Sequence, residues 1–578
     1  MKKNIIFWAS LAGLMITSCN DDAFLREKPE DFLTTENGFL NVRQFQTGIN
    51  QMYAQVRTLY NSNDGDADWI MMGVGTDVFM IPRGNGYDCP FNDWKRVDTF
   101  NGVASRWWSA CYGIIKNCNE LLSQTENPNV VWTQEGQKEE IQAEVRFFRA
   151  YAYRCLGHIF GGVPLLEEPI TEPTLNFVRS TRTETYAFAI KDAEFAAQYL
   201  PIQIKQDGRV VRATADHLLS ELYIAYSDNG GEKSYEKAIA AATRVIDGTD
   251  GNYALMKNRF GSRASEEGKD VYWDLFRMGN QNYLEAGNTE CLWAVQFEFN
   301  TPGGTNIFDR PLIERTFWPT FAGSKKFGYD GVARDWTGRG AAWVRPTDYS
   351  IYTIWKDAGT DIRNSKANID REFFAPKPII NGVESNMDTT YVTPVTMPDG
   401  TNIEVKLKPG DLIKKEWLTT RMDTMELYFP RFFKFGTDKH IDGKPDNGYI
   451  PDYYVFRVAE TYLLRAEAYL KNGNKDAACK DINQVRERAQ ATPVKEADVT
   501  IDYILDERAR ELLGEEYRFM TLSRMNKVYD RVKQHGWKYS AESIQEYNNL
   551  FPIPQSAIDA NLEAELTPVS YTHLTLPT

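Results

Sequence analysis

Tyr454–Gln490 reads YVFRVAETYLLRAEAYLKNGNKDAACKDINQVRERAQ, and Tyr503–Arg524 reads YILDERARELLGEEYRFMTLSR. Three apolar stripes run through this stretch. The first is Ala459, Leu463, Ala466 and Leu470, the second Ala478, Ile482, Val485 and Ala489, and the third Ile501, Leu505, Ala509 and Leu512. Each steps by three or four residues, so each marks the buried face of an amphipathic helix. Lys471-Asn472-Gly473-Asn474 supplies a helix stop and a tight turn between the first two. Ala466, Tyr469, Gly473 and Ala478 fall at the spacing of the small, aromatic, glycine and alanine positions of a tetratricopeptide repeat, where small residues let two helices approach closely.

The same periodicity recurs towards the N-terminus. It predicts helices over Asn41–Leu59, Trp107–Leu122, Glu139–Phe160, Thr183–Leu200, Thr214–Tyr226 and Tyr235–Ile246. The first carries Val42, Phe45, Ile49, Met52 and Val56 on one face. After about residue 250 the character changes. Glu290–Phe299 alternates and is aromatic enough for a strand, Tyr428–Phe435 reads as a second, and residues 300–450 are rich in Gly, Pro, Asn, Asp and Trp. The fold class is therefore mainly α: irregular tetratricopeptide-like helical hairpins with a loop-rich, partly β insertion. Helical scaffold is expected over about 36–250 and 452–530, with a ligand region over about 251–451 of a single domain, 19–568. A loop-rich insertion of this length is more often functional than filler.

The 578 residues carry a net charge of −14, which argues against a nucleic-acid partner. The N-terminus is informative. Lys2 and Lys3 precede an apolar run, Ile5–Ile16, too short to span a bilayer and suited to the core of a signal peptide over residues 1–18. Ile16-Thr17-Ser18-Cys19 then looks like a bacterial lipobox, which would make Cys19 the lipidated first residue of the mature chain. Of the other cysteines, none forms a C-x-x-C pair, and they read as buried thiols. The last ten residues, Val569–Thr578, fit nothing upstream and are set aside as a non-native tail.

Several segments resemble one family. YLLRAEAYL, INQVRERA and ILDERARELLGEEYRF, in that order, match the C-terminal signature of the SusD/RagB family, outer-membrane nutrient-binding lipoproteins of Bacteroidota. WWSACYGIIKNCNELL matches a family helix at Trp108, Tyr112, Ile115 and Asn119, and AEVRFFRAYAYRCLGHIFGGVPLL resembles a second signature. Arg345, Pro346, Asp361 and Arg363 fit a third segment, and FPIPQ with Asn561 fits the family ending. The resemblance implies capture of an oligosaccharide at the cell surface, anchorage in the outer membrane through Cys19, and delivery to a SusC-like TonB-dependent transporter. The acidic Asn20-Asp21-Asp22 resembles the export signal that places such lipoproteins on the cell exterior.

Chemistry that would make an enzyme is not apparent. The five histidines form no metal-ligand spacing, and there is no G-x-S-x-G elbow, P-loop or H-E-x-x-H. The acidic cluster Asp506, Glu507, Glu511, Glu515 and Glu516 is interleaved with Arg508, Arg510 and Arg518, which reads as an ion-pair network on a helix pair rather than a catalytic carboxylate pair. No cofactor is expected. The Asp/Asn loops leave room for a structural Ca2+, but Asn61–Asp68 lacks the spacing of an EF-hand loop, so no metal is predicted. For a sugar ligand, Trp and Tyr on loops would stack on the C–H faces while polar side chains bond the hydroxyl rim. Loop position nominates Trp69, Tyr87, Trp94, Trp318, Trp336 and Trp343, whereas Trp108 and Tyr112, on a patterned helix, are assigned to packing. Two other classes fit less well. A tetratricopeptide scaffold for protein partners would not need the aromatic loops or the lipobox, and a surface glycoside hydrolase would need the missing carboxylates.

Overall fold

The structure is a computed structural model that describes residues 38–60, 73–83, 91–299, 301, 304–305, 311–445 and 448–566. The N-terminal helices are α1 (Val42–Thr58), α2 (Gly102–Thr125), α3 (Gln137–Ile159), α4 (Arg182–Tyr199), α5 (Arg212–Asp228) and α6 (Tyr235–Ile246). The C-terminal ones are α7 (Val458–Lys471), α8 (Lys475–Arg488), α9 (Ile501–Glu511), α10 (Arg518–Arg524) and α11 (Val528–His535). From α2 to α6 each helix packs on the next, α6 packs on α7 across the whole intervening excursion and α7 on α8, so α2 to α8 form one continuous stack. The fold is mainly helical, as the periodicity predicts.

Local chemistry sets the helix ends. Asn41 caps α1, its side chain accepting from Gln44 N at 3.2 Å, and Phe45, Ile49, Met52 and Val56 are the buried face. Thr181 and Glu184 form a reciprocal capping box on α4. Gly473, with φ of 84°, turns α7 into α8, and Asn474 caps the second helix. α2 starts five residues before its predicted first residue, because the Asn101 side chain accepts from Ala104 N at 3.0 Å and recruits a turn whose apolar pattern is weak. Every residue of α3 from Phe147 to Ile159 is buried, which makes α3 the spine of the stack. Its two buried arginines are paired, Arg149 with Asp192 at 2.6 Å and Arg154 with Glu221 at 2.7 Å.

Among the described residues, β structure is confined to short two-stranded pairs. The strand expected over Glu290–Phe299 appears as β1 (Cys291–Val295), antiparallel to β2 (Tyr453–Arg457). The periodicity did not announce β2, because five residues running straight into α7 leave no turn signal. The strand expected at Tyr428–Phe435 shrinks to Arg431–Phe432, paired with Ile369–Asp370, before a 3-10 turn. A hairpin, β3 (Tyr391–Thr396) with β4 (Asn402–Leu407), covers a separate small core that includes Phe321, Phe327, Phe373 and Tyr428. Cys111, Cys118, Cys155, Cys291 and Cys479 are free and buried, in line with the thiol reading.

The acidic cluster is an ion-pair network, but its geometry differs from the helical spacing expected. Only Arg510 with Glu507, at 2.8 Å, is a pair along one helix. The other links to Glu507 and Glu511 cross between elements. Arg363 reaches Glu507 at 2.8 Å and Glu511 at 3.0 Å, Arg486 reaches Glu507 at 2.7 Å, and Arg457 reaches Glu511 at 2.9 Å and Glu515 at 2.6 Å. Arg457 and Arg488 also meet Glu290. Glu507 and Glu511 have no exposed surface. Burial opposes their ionisation, yet the surrounding guanidinium groups hold both carboxyls well below the usual range. A proton donor for glycoside cleavage would need the opposite shift.

Candidate functional site

The nominated aromatic residues separate into three groups. Trp94 and Trp318 are corrected by the structure: they are 1% and 0% exposed, and neither has a face for a ligand. The Trp94 indole N–H donates to Gly75 O at 3.1 Å and its ring stacks on Phe519, while the Trp318 N–H donates to Phe432 O at 2.9 Å. Their loops fold back onto the core, and a large apolar ring follows the loop inward. Trp336 and Trp343 are half-buried. Trp336 donates to Glu384 at 2.7 Å and lies against the small core under the β3–β4 hairpin. Trp69 and Tyr87 lie outside the described residues, as do Cys19, Cys89, the leader 1–18, the loop Asn61–Asp68 and the tail 569–578.

Two clefts differ in character. One, of about 400 Å³, is apolar and is lined by Trp108, Tyr112, Phe177 and Leu566 among others. Trp108 and Tyr112 do pack, with ring centroids 4.9 Å apart and Trp108 edge-on to Phe160, so the packing assignment holds, although both rings also face this cleft. The second cleft, of about 440 Å³, is polar and lies between α1, the loop 201–211 and the end of β1. Asn50, Tyr53, Arg57, Gln206, Arg209, Trp293 and Gln296 are among its walls. A further lobe of about 250 Å³, reaching Gln46, Gln203 and Lys205, shares Gln206 and Arg209 with it.

The polar groove is held by a small, well-paired framework. The Tyr53 hydroxyl donates to Glu144 at 2.6 Å and accepts from Val210 N at 2.9 Å. Arg209 donates to Glu144 at 2.9 Å and to Gln46, and its guanidinium sits 5.1 Å from the Tyr53 ring centroid. Burial raises the Glu144 carboxyl above its usual value although Arg209 and Tyr53 favour the charge, and burial together with Glu144 keeps the Tyr53 phenol protonated. Asp207 accepts from Leu284 N at 2.9 Å and Glu285 N at 3.1 Å, fixing the turn. Gly208 has φ of 81°, and a Cβ there would lie 2.5 Å from Gln296 Cγ, so only glycine fits this wall. Trp293 is 2% exposed and is boxed edge-on by Phe147 and Tyr151. Its buried indole N–H has no hydrogen-bond partner. An orphaned buried donor costs about 1–3 kcal/mol.

Sequence reasoning missed this groove. Tyr53 sits one step off the apolar stripe of α1, Trp293 reads as a strand residue, and only the Asp207-Gly208-Arg209 turn signals anything locally. Among the described residues no group of His, Cys, Asp and Glu could hold a metal ion, and no helix is long and apolar enough to cross a membrane.

A continuous stack of helical hairpins with a loop-rich excursion is the SusD-like α/α architecture. A SusD homologue of Bacteroides thetaiotaomicron superposes with a TM-score of 0.66 over 93% of this chain and 98% of its own, at 18% identity. A laminarin-binding SusD-like protein gives 0.64 over 92% and 100%, at 21% identity. The family model described as the SusD family matches residues 289–568, and one described as starch-binding associating with outer membrane matches residues 23–224. The chain belongs to the SusD/RagB family. A SusD-like protein of Formosa agariphila is 22% identical over 98% of this chain and 99% of its own length. The starch-binding protein SusD of Bacteroides thetaiotaomicron is 39% identical over 126 residues, 21% of this chain and 22% of that protein.

Proposed function

We propose that this protein captures an oligosaccharide at the outer membrane without cleaving it and passes it to a SusC-like TonB-dependent barrel. The observation that carries the proposal is the polar groove. Amides and guanidinium groups stand in one groove between rigid elements, which is the arrangement a rim of sugar hydroxyls requires. The names of relatives support the ligand class, since they include a starch-binding, a laminarin-binding and a surface glycan-binding protein. Anchorage through Cys19 and an exterior orientation complete the proposal. Half-buried Trp336 and Trp343, with Trp69 and Tyr87, remain proposed as further ligand contacts.

The test is calorimetric titration of residues 20–568 against plant, host and fungal oligosaccharides, with the same samples checked for cleavage products. Binding with no new products is the expected result, and cleavage would overturn the non-enzymatic part. Co-purification of a TonB-dependent barrel in mild detergent tests the partner. Loss of the outer-membrane fraction in Cys19→Ala tests the anchor.

A further inference from the structure

We infer that residues 20–37 lie along the apolar cleft as an intramolecular strap, which sets the pole formed by α2 and the segment 164–178 towards the membrane. The orientation, though not the docking, rests on the Cys19 anchorage proposed above.

The cleft of about 400 Å³ calls for an apolar occupant. Trp108 and Tyr112 of α2 form one wall, Leu166 and Ile170 a second, and Ala560 and Leu566 a third. Its polar groups are already engaged within the protein. The Tyr112 hydroxyl donates to Pro164 O at 2.8 Å. The Asn119 amide donates to Leu166 O at 2.9 Å and Glu168 O at 3.1 Å, and accepts from Arg149. The outer walls are fastened to each other, since Asn561 accepts from Phe177 N at 2.7 Å and Glu563 N donates to Leu175 O at 2.8 Å. Apolar surface is nevertheless left open here. Ile170, Leu175, Val178 and Leu562 are between 42% and 75% exposed. Clustered beside a preformed cleft, such surface marks a docking site.

The chain's own N-terminal segment fits that site by position, reach and composition. The described residues begin at Gly38. Phe39 and Leu121 of α2 both lie against Gly48 of α1, so the chain enters the fold beside α2, one position from Glu120 in the cleft wall. Residues 20–37, extended at about 3.3 Å each, span about 60 Å. The cleft face of α2, residues 108–120, is only about 18 Å long. The segment reads NDDAFLREKPEDFLTTEN, with Phe24-Leu25 and Phe32-Leu33 as two apolar pairs around Pro29. Proline favours an extended path over a helix, and two separated apolar pairs on an extended strap suit an elongated apolar cleft. Being covalently attached, the segment meets the cleft at an effective concentration of the order of millimolar, which a second copy of the chain in dilute solution does not reach.

The experiment uses the soluble chain 20–578 with photo-reactive benzoylphenylalanine in place of Phe24 or Phe32. Irradiation should give intramolecular cross-links to residues 108–120, 164–177 or 557–566. A glutamyl endopeptidase that cuts after Glu27 and Glu30 should release the N-terminus at least about fivefold more slowly from the wild type than from Ala560→Trp, in which an exposed position fills the cleft. Phe24→Ser combined with Phe32→Ser should speed the cut to a similar degree, with circular dichroism verifying the fold. Cross-links between molecules would overturn the inference in favour of a second copy. A probe at Tyr571 that reached the cleft while those at Phe24 and Phe32 did not would give it to the C-terminal tail. Cross-links elsewhere on the same chain, or equal cleavage of wild type and Ala560→Trp, would overturn the strap outright. These readouts need no lipid, so if Cys19→Ala stayed in the outer-membrane fraction only the orientation would fall.

Discussion

Two regions of the molecule, the ion-pair network and the polar groove, handle polarity in different ways. Around α7 to α10, charged side chains are taken inside and paired with one another: Glu511 alone meets Arg363, Arg457 and Arg488. Around the groove, charge is balanced locally and several side-chain amides, among them Asn50, Gln206 and Gln296, stand in the wall. In the first region opposite charges are spent mainly on one another and fix how helices and loops meet, although Arg488 Nε and Arg508 Nη1 keep no hydrogen-bond partner. In the second some hydrogen-bonding capacity is left for something that is not protein.

This contrast should be visible in stability and affinity measurements. The largest effect is expected from Glu511→Gln, which strands several buried guanidinium groups. A loss of about 3–5 kcal/mol, read from the urea midpoint, is the expected cost of breaking a buried network on one side. Trp94→Ala should cost a similar amount, about 3–5 kcal/mol, because a fully enclosed ring leaves a cavity. Retention of wild-type stability by Trp94→Ala together with loss of oligosaccharide affinity would restore that residue to the ligand site.

A pH series sharpens the same comparison. Glu460 and Glu467 are buried, which opposes ionisation, but Arg508 and His217 around the first and Arg524 and Lys471 around the second hold their pKa values at about 2, against an ordinary 4.5. Because the folded values are depressed, their stabilising contribution is complete above about 4.5 and is lost as pH falls towards 2. Urea midpoints should therefore drop through that window and be insensitive to these two groups above it. The smallest effect on stability is expected from Gln206→Ala. Gln206 is exposed, so stability should stay within about 0.5 kcal/mol while oligosaccharide affinity falls by roughly fivefold.

Much of the helical stack was legible because burial on one side imposes a period of 3.6 residues. Tyr235–Ile246 is read to the residue, and α1, α3, α4 and α5 are read to within one or two. Contacts made at long range left no such trace. The acidic cluster could be seen, yet Glu290, Arg363, Arg457 and Arg488, which complete it, are scattered over some 200 residues of sequence. Trp94 and Trp318 show that a loop position says nothing about which way a ring turns. The groove was illegible for the same reason, since Tyr53, Arg209 and Trp293 meet only after three distant segments have folded.

The β1–β2 pair has a consequence for how the chain is made. Val295 cannot meet Tyr453, nor Glu290 meet Arg457, until about the first four-fifths of the polypeptide is available to fold. Until then the early hairpins keep one flank uncovered. A contact spanning so much chain also belongs to the slow part of folding. The clasp thus works as a completion signal: fragments that stop before it retain helices but cannot close the charged centre, and they are the species on which quality-control proteases should act first.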